Sequence, residues 1–230
     1  MKRLLFLAMV ALIMVGLSGC EKAKVENVAA ADVFVKAIKN AQGATVYTAI
    51  HSVFSYNAMT SVSATSPNGL TKQLNNYQSA GNSFFNEPAD ADYLSTLPAT
   101  GVYTYNVKFN DGEEKVYTNS LSSSAILPAN ITSLYKSANG DSIYIKWDAI
   151  ANTTAYQLKV LKGTTQVYNP GTFADGSTPL KTSLKIGFAL NNLTSGGSGT
   201  YTVEIDGLLF ESTAYDFIQA VSVASMDIVI

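Results

Sequence analysis

The chain has 230 residues but one His, one Cys and one Trp. So few reactive side chains exclude a Cys/His zinc site, a disulfide framework and a Cys-His nucleophile pair unless those two residues meet. A Ser-His-Asp triad would have to use the same single imidazole, and no Gly-x-Ser-x-Gly elbow is present. Charge is also scarce: 15 basic and 17 acidic residues leave a formal net charge of -2, with no basic field for nucleic acid. No heptads and no long helical stripe occur, which excludes a coiled coil or helical bundle. What is abundant is Ser, Thr and Asn, which together far outnumber the charged residues, and 13 Tyr. That composition suits an extracytoplasmic β protein.

Lys2 and Arg3 precede an apolar run from Leu4 to Val15, with no further charge until Glu21. A charged start followed by a short apolar run is the layout of a secretory leader, and the run is short for a membrane span. Leu17-Ser18-Gly19-Cys20 follows, and this resembles the lipobox of bacterial lipoproteins. The resemblance implies cleavage before Cys20 and acylation of its thiol and new amine. Residues 1–19 are then a signal peptide and 20–31 a lipidated Cys and tether. Several acyl chains give a durable membrane anchor. Glu21 after the Cys, by resemblance to the enteric sorting rule, favours the outer membrane.

From Asp32 the pattern is mostly period two. Val33-Phe34-Val35 favours a strand, while Phe34, Ile38 and Ala41 would also share a helix face capped by Asp32, so both readings stand over 32–42. Strands are predicted over 45–56, 59–65, 101–110, 114–120, 142–147, 155–161, 184–190, 200–205 and 214–230. Asn110-Asp111-Gly112 supplies a hairpin turn. Ser122-Ser123-Ser124 and Pro128 mark a linker at 123–127. The second half, 128–230, resembles a fibronectin type III domain. The residues that carry this are Ser142–Asp148, Ala155–Val160 and Tyr201–Ile205. The resemblance implies a Trp147 packed between sheets, an inward Tyr156 and a Tyr201 at a tyrosine corner, with Leu193 eight residues ahead of it. In the first half Leu97 stands six residues before Tyr103, the usual spacing of that corner. Residues 32–122 therefore read as an immunoglobulin-like or PKD-like sandwich. The fold class expected is all-β, two tandem sandwiches, similar to Bacteroidetes-type surface lipoproteins.

Candidate sites follow from side chains in unexpected places. His51 sits in a strand-like run and is expected to be a hydrogen-bonded structural imidazole. Asp90 with Asp92, Glu113 with Glu114, and Asp175 are the carboxylates that a glycoside hydrolase would need in a pair across a cleft. Phe173 lies in a polar loop, and Tyr77, Phe84, Phe85 and Tyr93 cluster among Asn, Ser and Gly. Exposed rings of this kind stack on sugar faces; capped against the ends of a core they would be structural instead. Asp141-Ser142-Ile143 resembles the O-glycosylation pattern of Bacteroidetes, which would make Ser142 an acceptor. Leu97-Pro98-Ala99-Thr100-Gly101 spells a sortase motif, but it stands mid-chain ahead of a strand. No cofactor or metal is expected. The functional expectation is a non-catalytic binding, adhesion or spacer module of the cell envelope. Its partners would be the membrane through its lipid, and a glycan or envelope protein. A glycan-binding accessory of a polysaccharide-uptake system and a glycoside hydrolase are the rival readings.

Overall fold

A computed structural model describes residues 26–173, 180, 182–187, 197–212 and 217–230, with Gln78 and Phe173 described by backbone alone. The leader, Cys20 and Asp175 lie outside the described residues. Among the described residues the chain is all-β apart from two short 3-10 helices, Tyr77–Ser79 and Asp90–Asp92. It forms two tandem immunoglobulin-like, fibronectin type III-like sandwiches.

The first half contributes β1 (Ala29–Lys39), β2 (Thr45–Ser55), β3 (Met59–Thr65), β4 (Thr71–Gln73), β5 (Asn75–Asn76), β6 (Ser83–Asn86), β7 (Gly101–Phe109) and β8 (Glu114–Leu121). The second contributes β9 (Ile131–Lys136), β10 (Ile143–Trp147), β11 (Ala155–Lys162), β12 (Thr165–Tyr168), β13 (Thr172–Phe173), β14 (Ser183–Ile186), β15 (Thr200–Phe210) and β16 (Ile218–Val229). In the first half β1-β2-β6-β5 faces β4-β3-β7-β8; in the second β14-β10-β9 faces β12-β11-β15-β16. In the lettering of immunoglobulin-like folds these are A-B-E-D against C′-C-F-G, and E-B-A against C′-C-F-G. One half is thus a variant of the other.

The two halves are not separate beads. β1 pairs in parallel with β16, with Val35 opposite Ala220 and Ala37 opposite Ser222. One sheet therefore runs β12-β11-β15-β16-β1-β2-β6-β5 through both sandwiches. β15 and β16 also pass from one core to the other. Tyr201, Val203 and Ile205 fill the second core, while Leu209 packs on the first and Ala220 lies within it. Ile150 touches both cores. Beneath it stands Gly207, where a Cβ would lie 2.6 Å from Ile150 Cδ1 and 2.9 Å from Ser222 Oγ. A side chain there would overfill the junction.

The alternation of the sequence decides each core. In β7 Tyr103, Tyr105, Val107 and Phe109 point inward and are buried, while Val102, Asn106 and Lys108 are exposed. In β10 and β11 Ile143, Ile145, Trp147, Tyr156, Leu158 and Val160 do the same. Trp147 meets Tyr156 edge-on at 5.3 Å. Both corner tyrosines are buried, and each hydroxyl donates to the carbonyl four residues back: Tyr103 to Ala99 at 2.8 Å, Tyr201 to Gly197. The longer turn before Tyr201 leaves this bond intact.

Two expectations about unstructured segments change. The first strand begins at Ala29, three residues ahead of Asp32, and settles 32–39 as strand rather than helix. Ahead of it Asn27 is buried, and its amide donates to Asp111 and to Glu113 at 2.7 Å. The end of the supposed tether is thus pinned to the β7–β8 hairpin. The supposed linker is held as well, because Ile126 is 2% exposed within the first core. An apolar side chain in a Ser-rich stretch was enough to dock it.

Candidate functional site

The outer face of the shared sheet carries the exposed rings. In β2, Val53 and Ser55 face inward, so the pleat turns Phe54 out. Phe54 is opposite Ser83 of β6, and Ser52 is opposite Phe85. Phe85 is opposite Asn75 of β5. Cross-strand partners share a face, so Phe54 and Phe85 lie diagonally on it with Ser52, Ser83 and Asn75 between and beside them. Tyr56, just past the end of β2, is 93% exposed and meets Phe54 edge-on at 5.2 Å. Tyr77 is also exposed and meets Phe85 edge-on at 6.3 Å. The result is an aromatic ledge, Tyr56–Phe54–Phe85–Tyr77, set among hydroxyl and amide side chains.

An edge-on contact fixes a ring while leaving one of its faces open. Such faces accept the C–H side of a pyranose, and Ser and Asn exchange hydrogen bonds with its hydroxyls. Along the sheet the ledge stops at Asp32, the β1 residue opposite Ser52. Burial pushes the Asp32 carboxyl up to about 6 against a backbone hydrogen bond from Ile218, and Glu211 adds to the rise.

The rings expected from sequence divide. Tyr77 and Phe85 belong to the ledge. Phe84 does not, because its neighbour Phe85 takes the outward phase and Phe84 is buried in the first core. Tyr93 is buried too, its hydroxyl donating to Glu87 Oε1 at 3.2 Å. Burial and that carboxylate raise its pKa well beyond the ordinary phenol. Neither ring is presented to a ligand. The side chain of Phe173 lies outside the described residues. Phe54 and Tyr56 were missed. The signal was available: Phe54 is out of phase with the inward residues of its strand, and Tyr56 precedes the break at Asn57.

The other candidates are occupied. Ser142 is buried and its hydroxyl donates to Asp141 at 2.7 Å, so the folded protein does not offer it for glycosylation. Glu113 accepts from Asn27, and Glu114 pairs with Lys108 at 3.0 Å. Asp90 and Asp92 are exposed on their short helix. Among the described residues no three His, Cys, Asp or Glu side chains come together to hold a metal. His51 is buried against Tyr103 and Tyr105, and Nδ1 lies 3.1 Å from the Tyr105 hydroxyl. Burial, with help from nearby Lys72, lowers its pKa from 6.5 to about 4. It is neutral at physiological pH.

No protein-family model matches the chain, and no curated protein matches it. Among solved structures it is similar to a two-domain fibronectin type III segment of chicken tenascin. The identity is 16% and the TM-score 0.33, covering 79% of this chain and 92% of that one. It is also similar to the BSP domain of a biofilm-associated protein, at 14% identity and TM-score 0.24, covering 79% of this chain and 27% of that one.

Proposed function

We propose that this protein is a non-catalytic binding module of the bacterial cell envelope, held at the outer membrane by lipid on Cys20. Its ligand is a glycan, met by the aromatic ledge. The single observation that carries the binding role is the run of four rings on an outer sheet face, two of them more than half exposed. Clustered exposed aromatics have a use. The non-catalytic reading is supported by Glu113 and Glu114, whose carboxylates are held by Asn27 and Lys108. Adhesion, spacing or service to a polysaccharide-uptake system are all compatible with such a module.

Affinity electrophoresis through gels holding envelope and dietary polysaccharides tests the ledge. Wild type is expected to be retarded by at least one glycan. Tyr56→Ala and Tyr77→Ala should each weaken that retardation by on the order of severalfold, the value of one ring contact. Equal mobility of all three proteins in every gel would remove the glycan reading. Palmitate labelling checks the anchor separately: it should disappear in Cys20→Ala.

A further inference from the structure

At the opposite end of the first sandwich its two sheets part around a cavity of about 360 Å³. Its walls include Tyr47, His51, Leu70, Lys72, Leu94 and Tyr103. The size sits near the lower end of the range for small-molecule sites, roughly 300–1,000 Å³. That is room for one ring. The make-up also fits: mostly apolar and aromatic walls with a few polar groups.

The hydrogen bonds around His51 fix what the cavity can recognise. The Tyr105 hydroxyl donates its one proton to the carbonyl of Asp32 at 3.0 Å. Towards His51 it can therefore only accept, so Nδ1 carries the imidazole proton. The neutral ring then holds a free lone pair on Nε2. That nitrogen accepts a hydrogen bond and cannot give one. Lys72 and Asp92 both line the cavity, so its charges are of both signs and a neutral guest matches them. Tyr47, Leu94 and Tyr103 offer apolar faces. A ring with C–H faces and hydroxyl edges meets all three conditions.

We propose that this cavity binds a single hydroxylated ring of monosaccharide size, a hexose or hexuronic acid, with one hydroxyl donating to Nε2 of His51. The site is independent of the ledge. Phe54 and Tyr56 lie towards the other end of β2, past the cavity residues Tyr47 and His51.

The single histidine makes the test clean, because the full chain gives one set of imidazole NMR signals. Glucose, galactose, mannose and glucuronate are titrated in turn to tens of millimolar. At least one should shift the His51 signals saturably. Thr96 is exposed and lines the cavity, and Thr96→Trp should block it and abolish the shift. Leu94→Trp at the same mouth should do the same, and guards against a folding defect in the first variant. Tyr56→Ala should leave the shift unchanged, so that failure of the ledge and failure of the cavity are told apart. No shift with any sugar, or a shift that survives both Trp variants, overturns the proposal. A hexuronate that binds at least tenfold tighter than its hexose would assign Lys72 to the carboxylate.

Discussion

The two sandwiches share a strand plan yet are filled differently. The second core is built on Trp147, Tyr156 and Tyr201 with Ile143, Ile145, Leu158 and Val160, and its tyrosine hydroxyls meet backbone groups, the N–H of Ile150 and the carbonyl of Gly197. The first relies on Tyr103, Tyr105 and Phe109 and takes in a histidine, so that part of its interior is a chain of polar contacts from His51 through Tyr105 to Asp32. Both the ledge and the cavity belong to the first. Both cores hold two buried tyrosines, so what sets the first apart is the imidazole, a polar ring held at a fixed position beside Tyr105. On the proposed reading, the second sandwich is a brace and the first the recognition unit.

The largest expected effect breaks the brace. Trp147→Ala empties the second core and should cost about 3–5 kcal/mol in urea unfolding. Because β15 and β16 run through both cores, the transition should remain single, by fluorescence of the tyrosines and by circular dichroism alike. Two separated transitions would mean that the halves are coupled only loosely.

A smaller effect is peculiar to the first core. Its imidazole takes up a proton near pH 6.5 when unfolded but only near 4 when folded. The folded state therefore binds fewer protons in that window, and stability present above pH 6.5 is lost as pH falls towards 4, about 3 kcal/mol in all. Asp32 works in the other direction. Its folded carboxyl, raised to about 6 from 3.8, binds a proton more readily, so its contribution rises as pH falls through that range. A bulk stability curve mixes these two with buried Asp206, whose carboxyl burial also raises, to about 7. The NMR midpoint of His51 isolates one of them and should lie near 4.

The smallest effect should be equal on the two sides. Tyr103→Phe and Tyr201→Phe each delete one corner hydrogen bond and should each cost about 1 kcal/mol by urea unfolding. A markedly larger loss at one corner would show that the repeated device does not serve both halves alike.

Much of this architecture can be read from period two. The strand over 59–65 and the hairpin through Asp111-Gly112 fall where the alternation and turn residues place them. The short strands β4, β5, β6, β12 and β13 are missed, because two to four residues are too few to show a period, and so is β9, whose Ile131–Lys136 run shows no clean alternation of buried and exposed residues. The parallel pairing of β1 with β16 is also invisible: it joins Val35 to Ala220, and nothing local marks a partner so far along the chain. The ledge was half legible for the same kind of reason. A polar sequence neighbourhood drew attention to Tyr77, Phe84, Phe85 and Tyr93 together, but adjacent residues of a strand face opposite ways. Only the register shows that Phe85 and Phe54 share a side. The burial of Ser142 was not legible, because a three-residue motif carries no information about burial.

β1 also sets a ruler. Its 11 residues span about 36 Å. Near its start Ala30 lies beside Phe54 of the ledge, and near its end Ala37 lies beside Tyr47 of the cavity. Beyond that point β16 continues in the same direction for several more residues, carrying the second core with it. For a chain held from its N-terminal side, height above the holding surface would thus sort the two proposed sites: the ledge would meet what lies close to that surface, and the cavity, about 23 Å further along β1, what arrives from outside.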